Sequence, residues 1–161
     1  MIFKAKNGAE IIRRIDTDET GAIQDYPGLN HALVIVKTED DYLLGYHKYR
    51  DDWETFGGLL EEGESLRECI ERECKEELGI SGVEFEYLGI VHYFMPPDFW
   101  NREWHDEYGG LYGLRLTKDY IEVIEERRPD KDEIGEIGFY SELKARKENI
   151  DEINEKLLEF F

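Results

Sequence analysis

Two cysteines in 161 residues leave no disulfide framework to build on. Cys69 and Cys74 fall in one predicted helix, roughly 7.5 Å apart along its axis, too far for a disulfide. They read as buried thiols, which suit a reducing, cytoplasmic setting. Cations are scarce as well: 20 Lys and Arg stand against 39 Asp and Glu, a net charge of −19. Such a polyanion lacks the clustered Lys and Arg that grip a nucleic acid polymer or an anionic membrane, so neither is expected as a partner. An acidic protein can still bind anionic phosphates where divalent cations lie between. No apolar run approaches the roughly 20 residues of a membrane span. Met1-Ile2-Phe3-Lys4-Ala5-Lys6 lacks the apolar centre of a signal peptide. No repeat, low-complexity tract or linker divides the chain. The expectation is one domain over residues 1–161, long enough for a real core.

What is present reads as alternating strands and helices. Residues 1–15 look like a hairpin, with Asn7-Gly8 a type I′ turn signal between Ile2, Phe3 and Ile11, Ile12. Residues 16–30 are polar and turn-rich and complete an N-terminal extension over 1–30. Ala32-Leu33-Val34-Ile35-Val36 suits a buried strand, and the segment from Tyr42 to Tyr46 pairs back after a turn. Ser65 and Glu68 spell a capping box for a helix over 65–78, which Gly79 stops. Strands are expected near 84–95 and 110–117, with an aromatic loop over 96–109 between them. Residues 120–126 fit a strand or a helix, and 134–140 a strand. Ser141 opens a C-terminal helical region over 141–161, with Ile150, Ile153, Leu157 and Leu158 on one stripe. The pattern predicts an α/β domain with a mixed sheet.

Several familiar sites are excluded. There is no Walker A loop and no nucleophile elbow. Asp16, Asp18, Thr20 and Gly21 imitate half an EF-hand loop, but Pro27 stands where the bidentate Glu belongs. His31, His47, His92 and His105 show no zinc-ligand spacing.

Residues 57–80 carry the chemistry. Leu66, Cys69, Ile70, Cys74 and Leu78 define the helix's apolar face, and at about 100° per residue Glu73 and Glu77 project into it, with Glu76 at its edge. A solvated charge stripe lies opposite an apolar face, and here Glu68, Glu71, Arg72 and Lys75 already supply one. Burying several like charges without compensation is costly, and bound cations are the economical remedy. A set of oxygen ligands suits Mg²⁺ or Mn²⁺. Gly57, Gly58 and Gly63 let a tight loop run beside the helix, where carbonyls also reach a metal. Arg72 braces the carboxylates. Metals held this way point to hydrolysis of a phosphate ester or anhydride.

These residues resemble the Nudix box: Gly, five residues, Glu, seven residues, Arg-Glu, an aliphatic, any residue, Glu-Glu, any residue, Gly and an aliphatic. Gly58, Glu64, Arg72, Glu73, Glu76, Glu77, Gly79 and Ile80 match in register. Cys74 alone departs, with a small apolar thiol at an aliphatic position. Around the box, Val34-Ile35-Val36, Arg50, Trp53 and Gly57-Gly58 also resemble the family, with Phe56 in place of its Pro. Downstream, the segment from Asp132 to Ser141 resembles its closing strand and helix, so the likeness covers about 31–145.

The resemblance implies an α/β/α sandwich that uses Mg²⁺ or Mn²⁺. It implies cleavage of a phosphoanhydride in a nucleoside diphosphate linked to another moiety, such as a nucleoside triphosphate, ADP-ribose or a nucleotide sugar. By position, Glu73, Glu76 and Glu77 are metal ligands, with the Gly57 carbonyl beside them. Arg72 orients the carboxylates, Glu64 is a supporting acid, and Glu64 and Glu133 are rival general bases. Arg50, Trp53, Trp100 and Trp104 are candidate substrate contacts. Pro96, 16 residues after the box, resembles ADP-ribose pyrophosphatases. Dimers are common among relatives, so a homodimer is the assembly to test. Two alternatives stay open. A ligand-sensing module usually loses the box glutamates, which are all present here. An isoprenyl diphosphate isomerase needs a catalytic Cys outside the box, which this chain lacks.

Overall fold

A computed structural model describes residues 1–128 and 131–161. The chain runs β1 (Phe3–Lys4), β2 (Glu10–Ile15), α1 (Ala22–Asp25), β3 (Leu29–Lys37), β4 (Tyr42–His47), β5 (Asp52–Glu54) and β6 (Phe56–Leu59). It continues α2 (Leu66–Leu78), β7 (Glu86–Met95), β8 (His105–Arg115), α3 (Lys118–Arg127), β9 (Ile134–Phe139), α4 (Tyr140–Ala145) and α5 (Glu152–Leu157), then a 3₁₀ turn over Leu158–Phe160.

The apolar run in β3 is buried on both faces because each face meets helices. Ala32, Val34 and Val36 pack with Leu66, Cys69, Ile70, Cys74 and Leu78 of α2 and with Ile121 and Ile124 of α3. Ile35 faces the other way, with Leu143 of α4, Ile153 and Leu157 of α5, and Ile150. The result is the expected α/β/α sandwich. The sheet follows β1-β2-β7-β8-β3-β4-β5, with β6 on β3 and β9 on β4. It is mixed: β3 and β8 are parallel from Leu29↔Tyr108 to Lys37↔Arg115, while β7 and β8 are antiparallel.

A fork in this sheet positions the site. β3 and β4 pair only at Val36↔Leu43 and Lys37↔Tyr42, then diverge. The segment 52–59 fills the opening, with β5 on β4 (Gly45↔Glu54 to His47↔Asp52) and β6 on β3 (His31↔Leu59 to Val34↔Phe56). The Gly57-Gly58 pair is thereby laid under α2.

The structure differs from the sequence expectation at the first turn and at the end of the aromatic loop, and it resolves two segments left open. The first turn is not type I′, which needs positive φ at both central residues. Gly8 N–H donates to the Ala5 carbonyl at 2.9 Å, so Lys6 and Asn7 are central, and only Gly8 has positive φ, at 91°. The aromatic loop ends at residue 104, because His105–Tyr108 pair with Met95–His92 and extend β8. Residues 118–127 resolve as helix: the Thr117 side chain caps Tyr120 N–H, and Ile121 and Ile124 share the buried face. The polar segment 16–30 is tied to the fold through Glu19, which accepts from Arg67 at 2.8 and 3.1 Å and from the Tyr112 hydroxyl at 2.8 Å. β2 pairs with β7, so the N-terminal hairpin continues the sheet.

Candidate active site

The site starts from a helix with well-formed ends. Ser65 and Glu68 make the reciprocal capping box, and Gly79 closes α2 in the left-handed conformation at φ 67°. With both ends fixed, the register of its glutamates is fixed too. Glu77 is buried at 8% exposure, the Glu73 side chain is 13% exposed, and the Glu76 side chain is 53% exposed at the rim.

The glycine pair gives these carboxylates their room. Gly57 has φ 139°, and a Cβ there would lie 2.1 Å from the Ala32 carbonyl oxygen. Its N–H donates to Glu77 Oε1 at 2.8 Å. At Gly58 a Cβ would lie 2.4 Å from Glu73 Oε1, so the carboxylate occupies the space a side chain would take.

Arg72 stands at the centre. Its Nε and Nη2 donate to the two oxygens of Glu64 at 2.6 and 3.1 Å, a bidentate pair. Nη1 reaches Glu73 at 2.9 Å and Glu76 at 3.4 Å, and Nη2 also donates to the Leu59 carbonyl at 3.0 Å. The Arg72 hydrogen bond holds Glu64 below the usual carboxylate range, and Glu64 in turn holds the guanidinium more firmly protonated. Burial acts oppositely on the other acids. It raises Glu73 despite Arg72, and it pushes Glu77 up to about 8, against the Gly57 hydrogen bond. Glu133, just ahead of β9, lies close enough that its charge raises both.

Glu64, Arg72, Glu73, Glu76, Glu77, Glu133 and Gly57 therefore gather at one place. Among the described residues, no three acid, His or Cys side chains converge around a single metal-sized point. Glu73 and Glu76 turn toward Arg72 instead. The donor set nonetheless fits Mg²⁺ or Mn²⁺. It offers hard oxygen groups, one of them a carboxyl that burial pushes up to about 8. Residues Glu73, Glu76 and Glu77 would hold such an ion.

The candidate substrate contacts are dispersed. Trp53 does not form an open stacking wall. It is 5% exposed, on the α4 and α5 side of the sheet, against Tyr46 at 5.5 Å between ring centroids and over Gly138. Strand alternation turns it away from α2 while sending Asp52 and Glu54 toward it. The Arg50 side chain is 64% exposed and pairs with Glu54 at 2.5 Å. Trp100 is 78% exposed, edge-on to Phe99, and Trp104 is 44% exposed, stacked on Phe94 and covering Gly8.

Three residues escaped the sequence reading. Burial and the neighbouring Asp52 push Glu54 up to about 9. Asp52 and Glu54 flank Trp53, and acids on both sides of a buried Trp were the available signal. His47 is the third. Its imidazole is held below its ordinary range by burial and Arg50, with Glu133 and Asp52 acting oppositely. Nothing local marked it, because its neighbours arrive from β5 and from the segment before β9.

Comparison with known proteins identifies the family and the fold. The NUDIX domain model matches residues 29–161. The chain belongs to the Nudix family. Among curated relatives it is similar to the NAD-capped RNA hydrolase NudC of Pseudomonas aeruginosa, 27% identical over 122 residues, 74% of this chain and 38% of that protein. NudC of Vibrio parahaemolyticus is 31% identical over 101 residues, covering 61% of this chain and 37% of that protein. The chain thus spans less than two fifths of the length of these relatives. Among solved structures, the Bacillus subtilis pyrophosphohydrolase BsRppH shares the fold at a TM-score of 0.65 and 19% identity, over 98% of this chain and 93% of that one.

Proposed function

We propose that this chain is a divalent-cation-dependent hydrolase of phosphoanhydride bonds, acting on a nucleoside diphosphate linked to another moiety. The observation that carries this reading is the half-buried Glu73 and buried Glu77 set against Gly58 and Gly57, with no cation on Glu77 among the described residues and one shared guanidinium on Glu73. Bound Mg²⁺ or Mn²⁺ would neutralise phosphate oxygens and polarise phosphorus. Arg72 fixes the carboxylates of Glu64 and Glu73. Glu133 is the residue assigned to take the proton from water. Glu64 is its poorer rival, because both its oxygens are bound to Arg72 and its pKa is lowered. Arg50, Trp100 and Trp104 remain candidate substrate contacts. The buried, unpaired Cys69 and Cys74 suit a reducing compartment such as the cytoplasm.

The test is a phosphate-release screen with Mg²⁺ or Mn²⁺ over nucleotides, nucleotide sugars, ADP-ribose and dinucleotides. Turnover lost in Glu77→Gln, and reduced roughly 10²-fold or more in Glu133→Gln, is the expected result. Saturable binding of one of these compounds without turnover would replace this reading with that of a sensing module.

A further inference from the structure

The segment that fills the fork changes partners at one residue. Its first part, β5, pairs with β4 up to Glu54, and β6 pairs with β3 from Phe56 onward, so Thr55 belongs to neither ladder. Thr55 is nevertheless buried, at 5% exposure. Its N–H donates to Asn154 Oδ1 at 3.1 Å, and its hydroxyl donates to the same oxygen at 2.5 Å. A side chain of α5 thus stands in for a strand neighbour and satisfies two buried donors.

The Asn154 amide has only one orientation that serves. Its Nδ2 donates to Asp151 Oδ2 at 2.7 Å, and its backbone N–H donates to that same oxygen at 2.9 Å. An ionised carboxylate only accepts and a backbone N–H only donates, so Nδ2 must face Asp151 and Oδ1 must face Thr55. The same C-terminal segment clamps the chain just upstream. Trp53 N–H donates to the Asn149 carbonyl at 2.9 Å, and Asp151 N–H donates to the Trp53 carbonyl at 3.0 Å.

Gly57 lies two residues beyond Thr55. At φ 139° and with Gly58 next to it, the backbone here is not held by side-chain sterics of its own. Its path is set by the ladder to β3 and by the anchor at Thr55. That path aims the Gly57 N–H at Glu77 Oε1, 2.8 Å away.

We infer that Asn154 is a positioning residue for the candidate active site. Through Thr55 it sets the path of the glycine strand, and so the N–H that orients Glu77. The inference rests on the reading of Glu73, Glu76 and Glu77 as holders of a divalent ion.

Amide hydrogen exchange on the full, metal-free chain reads the positioning directly. Asn154→Ala should speed exchange of the Gly57 amide about tenfold or more, the scale of one or two lost hydrogen bonds, while the Ile90 and Leu111 amides inside the sheet keep their wild-type rates. Calorimetric titration with Mn²⁺ should show its dissociation constant raised roughly three- to tenfold. Thr55→Val keeps the backbone bond and loses the hydroxyl, so it should move both readouts the same way by less. Thr55→Ser should match wild type. Exchange quickened equally at Gly57, Ile90 and Leu111 would show a merely structural role and overturn the inference. Unchanged exchange at Gly57, or unchanged Mn²⁺ affinity, in both Asn154→Ala and Thr55→Val would overturn it too. Wild-type protein that takes up no Mn²⁺ would overturn the metal reading instead, and the exchange pattern would still decide whether Asn154 sets the glycine strand.

Discussion

Replacing Glu77 with Gln in protein stripped of divalent ions tests the central electrostatic claim. Burial raises this carboxyl from 4.5 to about 8, so the folded state holds its proton over a range where the unfolded state has released it. The sign follows: stability is fully present below about 4.5 and is lost as pH rises toward 8. At about 1.4 kcal/mol per unit, the cost is about 3 kcal/mol at pH 7, with a ceiling of about 5 kcal/mol above pH 8. Gln keeps an oxygen for the Gly57 N–H and never ionises, so the variant escapes that cost. Urea unfolding in a chelator at pH 5, 6.5 and 8.5 should show the variant gaining on wild type as pH rises. Glu54 and Glu73 titrate in both proteins and largely cancel from the difference. Added Mg²⁺ should restore wild type most at high pH and act weakly on the variant. A pH-independent difference would show that Glu77 is not desolvated. A variant that loses ground at high pH would show the Gly57 hydrogen bond outweighing burial.

The two box glycines make a second test. Gly58→Ala should fold with nearly normal stability, because its Cβ meets the movable end of Glu73, while turnover falls tenfold or more. Gly57→Ala meets backbone at a positive φ and should lose about 3 kcal/mol or more in a melt, so the reverse ranking would contradict the geometry. The aromatic loop makes a third. Trp104→Ala should cost about 2 kcal/mol through its Phe94 stack, whereas Trp100→Ala should leave unfolding within about 0.5 kcal/mol of wild type. A raised KM in Trp100→Ala would mark a substrate wall, and sedimentation shifted toward monomer would mark a subunit contact.

Local signals made α2 legible. Ser65, Glu68 and Gly79 fix its ends, and the apolar period exposes Glu73 and Glu77 as carboxylates on the wrong face. The fork was not legible, because it depends on where β3 and β4 separate, and nothing within either strand records that. With the fork unknown, Trp53 looked like an aromatic near the box, although the same alternation that buries it on the far face aims Asp52 and Glu54 at the near one. His105–Tyr108 looked like loop because their strand character comes from pairing with β7. Glu133 was named only through the family likeness, since its nearness to Glu73 and Glu77 is a meeting of segments far apart in sequence.

The distribution of cations argues that the acidity of the site is not an accident of a chain with net charge −19. An ordinary buried glutamate is matched by an Arg or Lys, and α2 carries three such cations. Arg67 is committed elsewhere, gripping Glu19 at 2.8 and 3.1 Å and the Phe85 carbonyl at 3.3 Å. Lys75 is exposed, on the face away from the core. Arg72 alone serves the site, and its five donors are divided among Glu64, Glu73, Glu76 and the Leu59 carbonyl. Glu77, the most buried of the α2 acids, receives its hydrogen bond from a neutral amide, and Glu133 adds negative charge from the segment before β9. With Glu61 also 3.7 Å from Arg72, one guanidinium thus stands among six carboxylates, where a purely structural network would approach neutrality. The missing positive charge is what the divalent ion of the proposed function would supply, so the same imbalance that weakens the metal-free fold would favour binding that ion.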